Sequence, residues 1–130
     1  MPDICLIAAY DPWVIQLLRV FTEESGFRVV QAFEGKEILP LVQQQKPRVI
    51  LLEAELPGDP RGRELLDRLK EDAVGCTIPV LIFSWRKQDT RKTQPQDLHV
   101  YLQEPIRYDD FVCALRKVGV VCAKKSPTLK

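Results

Sequence analysis

The run Arg48-Val-Ile-Leu-Leu-Glu53-Ala-Glu-Leu-Pro-Gly58 constrains the fold of this chain more than any other stretch. Residues 49–52 are apolar without a polar alternation. That pattern suits a strand covered on both faces, as a central strand of a parallel sheet is. The strand ends on a carboxylate, Glu53, and Leu56-Pro57-Gly58 then turns the chain.

Strand and helix patterns alternate on both sides of this run. Residues 4–9 read as a short buried strand. Asp11-Pro12 starts a helix, because Asp caps free amides and Pro fits the first turn. Val14, Leu17, Leu18 and Phe21 share one face of it, and Gly26 ends it. Residues 27–33 form a second strand. Residues 36–45 form a second helix, in which Pro40 is expected to remove a backbone bond and cause a kink, and which Pro47 closes. Residues 63–71 form a third helix with Leu65, Leu66 and Leu69 inward. Strands at 79–83 and 100–102 follow, then a last helix at 109–118 with Phe111, Leu115 and Val118 on one side. Asp109 and Asp110 suit the start of that helix.

Between the last two strands a crossover helix is expected, since parallel strands need a long connection. Residues 86–97 offer no apolar side chain except the ring of Pro95. That helix is therefore predicted to be short or irregular. The order of elements predicts an α/β fold, a flavodoxin-like, doubly wound, five-stranded parallel sheet of order 2-1-3-4-5 with helices on both faces.

Bulk properties narrow the function. A chain of 130 residues with 45% apolar residues supports one folded domain, expected over 3–119 with a basic tail at 120–130. The net charge of +1 argues against nucleic acid or an anionic membrane as a partner. No apolar run reaches the roughly 20 residues of a membrane span, and the first residues do not read as a signal peptide, so the cytoplasm is expected. Cys5, Cys76, Cys113 and Cys122 form no Cys-x-x-Cys pair. Cys5 and Cys113 stand at apolar-type positions and are expected in the core. No Gly-rich phosphate loop follows the first strand, where the chain reads Ala8-Ala9-Tyr10-Asp11.

The order and spacing of Asp11-Pro12, Gly26-Phe27, Glu34-Gly35, Lys46-Pro47, Leu56-Pro57-Gly58, Ile78-Pro79-Val80 and Tyr101-Leu102-Gln103-Glu104-Pro105 carry a resemblance. Over residues 3–119 the chain resembles the receiver domains of two-component response regulators. The resemblance implies a phosphoryl site at the carboxyl ends of the strands. An acidic pair after strand one would hold Mg²⁺, an aspartate after strand three would accept the phosphoryl group, and a lysine after strand five would neutralise charge.

Aligned on these motifs, the acidic pair falls on Ala9 and Tyr10, the acceptor on Glu53 and the lysine on Glu104. Asp11 is retained beside the pair, Ser84 keeps the hydroxyl position and Tyr101 the switch aromatic. The resemblance also implies a cis bond before Pro105. The chain thus reads as a degenerate receiver: no catalytic residue, no metal site, no cofactor, and not an enzyme. It is expected to serve as a phosphorylation-independent interaction module for a signalling protein. A homodimer through strand five and the last helix is one form of that partnership. Two other functions stay open: an atypical phospho-accepting regulator and a flavodoxin-like small-molecule binder.

Alternatives also stay open at single residues. Glu53 is either a built-in mimic of a phosphorylated aspartate or a relic carboxylate at the sheet rim. Asp11, Glu53 and Glu104 either converge on a divalent cation or turn to solvent or to Arg61, Arg86 or Arg107. His99 has no partner in motif spacing and is expected to be structural or exposed. Arg86, Lys87, Arg91 and Lys92 are expected to be solvated. Trp13 and Trp85 form a recognition patch, or Trp85 fills the space of the missing site.

Overall fold

The apolar run does form a strand, β3 (Val49–Glu53), and all five of its residues are buried. The computed structural model describes residues 3–58, 62–84, 99–103 and 105–120. Around β3 stand β1 (Ile4–Ala8), α1 (Pro12–Glu24), β2 (Arg28–Ala32), α2 (Ile38–Gln45), α3 (Gly62–Glu71), β4 (Val80–Ser84), β5 (His99–Gln103) and α4 (Tyr108–Lys117). The sheet is parallel throughout, in the order β2-β1-β3-β4-β5. Burial follows position in that order: β3 and β4 are buried at every residue, whereas the edge strands β2 and β5 are only partly covered.

Alternate residues of the strands feed two cores. On one face Cys5, Ile7, Val49, Leu51, Leu81 and Phe83 meet Val14, Leu18 and Phe21 of α1 and Phe111 and Leu115 of α4. On the other, Leu6, Ala8, Ile50, Leu52 and Ile82 meet Ile38 and Val42 of α2 and Leu65, Leu66 and Leu69 of α3. Cys5 lies in the first core as expected. Cys113 does not: it is exposed on α4, because the buried stripe of that helix passes through Phe111, Ala114 and Leu115.

The second helix differs from expectation. A 3-10 turn at Gly35–Glu37 precedes α2, so the α-helix starts at Ile38 and Pro40 falls in its first turn. The amide that proline lacks would have had no intrahelical partner there, so it breaks no bond of the helix. Before Pro47, Lys46 takes a left-handed conformation with φ 49°, and its amide donates to the Val42 carbonyl at 2.9 Å. Residues 85–98, including the expected irregular helix, Trp85 and the basic cluster, lie outside the described residues. So do Arg61, Glu104 with its bond to Pro105, and residues 121–130 with Cys122.

Two glycines set the floor of the site. A Cβ on Gly62, at the start of α3, would stand 2.6 Å from the carbonyl oxygens of both Glu53 and Ala54. Glycine there lets α3 begin directly against the end of β3. At Gly58 φ is +109°, and the adjacent Pro57 carbonyl accepts the Gly35 amide at 3.3 Å, which joins the β3–α3 loop to the β2–α2 loop. Replacing Gly62 by alanine is expected to lower unfolding stability by about 1–3 kcal/mol, because backbone on both sides must move. Urea denaturation compared with the wild type measures it.

Candidate functional site

The carboxyl ends of β1, β3 and β4 meet at Glu53. It is the last residue of β3, it pairs across the sheet with Phe83, and it is 1% exposed. Its carboxylate does not turn to solvent. Oε1 accepts the Tyr10 amide at 3.0 Å and the Asp11 amide at 3.4 Å, both from the β1–α1 loop. A carboxylate carried inward by a buried strand needs donors, and these are the nearest that the β1–α1 connection can supply.

Burial pushes the Glu53 carboxyl above the ordinary carboxylate range. The two backbone amides oppose that shift, and the carboxylates of Asp11 and Glu55 add to it.

The neighbouring residues are engaged in other ways. Asp11 caps α1, with Oδ1 accepting the Trp13 amide at 3.0 Å. Ala9 is fully buried in the core under α1 and α4, and the Tyr10 side chain is 47% exposed. Ser84, at the end of β4, is buried and hydrogen-bonds Oε2 of Glu55 at 2.6 Å. Oε1 of Glu55 is also buried and has no hydrogen-bond partner among the described residues. Tyr101 is half-buried on β5 opposite Ile82, packed on the α2–α3 side, with its ring edge-on to His99 at 5.9 Å. His99 is buried and so belongs to the structure of β5.

The fold thus brings Glu53, Asp11, Tyr10, Glu55 and Ser84 together. Glu104 lies outside the described residues, so its meeting with Asp11 and Glu53 does too. No group of three His, Cys, Asp or Glu side chains among the described residues is arranged to hold a metal ion. Two features escape sequence reasoning. One is the use of backbone amides as the partners of Glu53. The other is the Glu55–Ser84 hydrogen bond, whose residues are 29 apart. Glu55 is legible in the sequence as the other carboxylate nearest the end of β3, two residues into the loop, but its partner is not.

The family model of the response regulator receiver domain matches residues 5–116. The chain belongs to the receiver-domain family. It is 31% identical over 120 residues to protein PilH of Pseudomonas aeruginosa, covering 91% of this chain and 96% of PilH. It spans only about half of several longer curated relatives, 48% of one and 50% of another. Among solved structures it is similar to the receiver domain of the sensor histidine kinase PA1611 of P. aeruginosa, which has a magnesium ion coordinated in its active site cleft. That match has a TM-score of 0.76 at 18% identity and covers 92% of this chain and 99% of the other. The chemotaxis regulator CheY4 of Vibrio cholerae matches with a TM-score of 0.76 at 17% identity, covering 91% and 99%. At these identities the structures establish the fold. This receiver is a two-component signalling domain, and no helix among its described residues is long and apolar enough to cross a membrane.

The raised Glu53 carboxyl has a sign that can be measured. The folded receiver holds the Glu53 proton to higher pH than the unfolded chain does. Stability from this group is therefore full below the ordinary carboxylate range and is lost as pH rises through the folded value. Asp72 titrates oppositely, since its carboxylate accepts the Gly75 and Val74 amides and the Gln43 side chain and is held below its usual range. A wild-type minus Glu53→Gln difference cancels Asp72. That difference is expected to move in favour of the variant as pH rises through and above the ordinary carboxylate range. Urea unfolding across that range checks it, and a slope of the opposite sign would show that the amides outweigh burial.

Proposed function

We propose that this receiver acts without phosphorylation, as a protein-interaction module within a two-component signalling pathway. The observation that carries the reading is the buried Glu53 carboxylate, with Oε1 committed to the Tyr10 and Asp11 amides. Phosphoryl transfer depends on positioning and charge neutralisation around the nucleophile. Here the two positions that would hold Mg²⁺ are Ala9 and Tyr10, and the position of the lysine is Glu104. Mg²⁺ demands an octahedron of oxygens and keeps few protein ligands, chiefly carboxylates. Asp11 spends its carboxylate on the helix cap. These residues do not fit a resident divalent cation.

On this reading the partner is a signalling protein or a second copy of the chain, and the domain works in the cytoplasm over residues 3–119. The working face is that of β5 and α4. There a shallow cavity of about 220 Å³ opens between Tyr101, Leu102, Ile106, Cys113 and Ala114.

Incubation with acetyl phosphate and Mg²⁺, followed by intact mass measurement, tests the reading. The expected result is no change in mass. A stoichiometric, base-labile gain of one phosphoryl group, absent in Glu53→Gln, would establish an atypical phospho-accepting regulator instead.

A further inference from the structure

Three aromatic side chains stand out from the rim at the carboxyl ends of β1 and β2: Trp13 is 78% exposed, Phe33 54% and Tyr10 47%. The sheet brings Tyr10 and Phe33 to the same place. The Ala9 amide donates to the Ala32 carbonyl at 3.3 Å, one residue beyond the paired strands, so the two chains leave the sheet together. Trp13 follows in the first turn of α1.

The backbone amide of each of these aromatics is held by a carboxylate. Tyr10 donates to Glu53 at 3.0 Å, Trp13 to Asp11 at 3.0 Å and Phe33 to Glu37 at 2.7 Å. The main chain beneath each ring is therefore fixed, and negative charge lies beside it. Between residues 9–13 and 33–37 the carboxylates are Asp11, Glu34 and Glu37. The one basic residue there, Lys36, is 3.6 Å from Glu34. Within these two segments exposed aromatic side chains thus stand beside a surplus of negative charge.

From this pairing we propose that the Tyr10–Trp13–Phe33 rim docks a basic segment of a partner protein, in which arginine or lysine side chains lie over the rings between apolar residues. Aromatic faces attract such cations, and neighbouring carboxylates strengthen the attraction. Rings on a backbone already pinned lose little freedom on binding. The surface lies away from the β5–α4 face, and the inference does not depend on whether Glu53 accepts phosphate.

Fluorescence anisotropy with a labelled eight-residue peptide of alternating arginine and leucine, at about 150 mM salt, tests it on the full chain. The peptide is expected to bind saturably, and a glutamate–leucine counterpart to bind at least tenfold more weakly. Trp13→Ala is expected to lower affinity about tenfold, as loss of an aromatic anchor does. Trp13→Leu, which keeps apolar area without the ring, is expected to lower it severalfold. Trp13 is so exposed that both variants should keep the wild-type melting temperature, measured alongside. Equal binding of the two peptides would overturn the proposal, as would affinity indifferent to Trp13→Ala. Full affinity in Trp13→Leu would remove the aromatic–cation contact. The assay uses unmodified protein, so its failure leaves the acetyl phosphate result standing, and the reverse also holds.

Discussion

Burial of β3 on both faces is the constraint on which the rest of this molecule turns. Val49, Ile50, Leu51 and Leu52 are all fully buried, two facing each layer of helices. A strand so placed carries its fifth residue inward with it, and that residue is a glutamate. An ionised carboxylate removed from water is costly unless donors replace the solvent. The Tyr10 and Asp11 amides do so, and in doing so they tie the β1–α1 loop to the end of the central strand. Gly62 completes the arrangement from the other side, because only a residue without a side chain lets α3 start against the Glu53 and Ala54 carbonyls.

Around Glu53 the other carboxylates are likewise absorbed by structure. Asp11 caps α1, Glu37 holds the amides of Phe33 and Glu34, and Glu55 takes the Ser84 hydroxyl. Each bond satisfies a group that would otherwise be bare, and each immobilises a loop at the carboxyl end of the sheet. The carboxyl end of this sheet is a hydrogen-bonded surface. Aromatic rings are among its exposed groups. Both the proposed loss of phosphorylation and the proposed docking of a basic segment follow from this use of carboxylates as anchors.

Much of this was legible in the chain. The two-sided strand, Asp11-Pro12 as a helix start and the leucines of α3 are local signals, set by burial period and capping chemistry that neighbours in sequence decide. The proposed departures at Ala9, Tyr10 and Glu53 likewise rest on residue identity, which needs no fold. Pro40 was misjudged because its effect depends on where the first helical turn falls. The preceding 3-10 turn moved that start to Ile38. Cys113 was misplaced because an apolar type says nothing about which side of α4 meets the sheet.

The sequence by itself determined the layers, the strand order and the residue types at the site, because periodicity and turn chemistry act over a few neighbouring residues. Only the tertiary structure decided what those residues do. Glu53 meets amides 42 and 43 positions away, and Ser84 meets Glu55 across 29. Tyr10 and Phe33 become neighbours only through the β1–β2 pairing. Such contacts are made by strand register and loop closure, and a carboxylate's charge, donors and exposure exist only once they have formed.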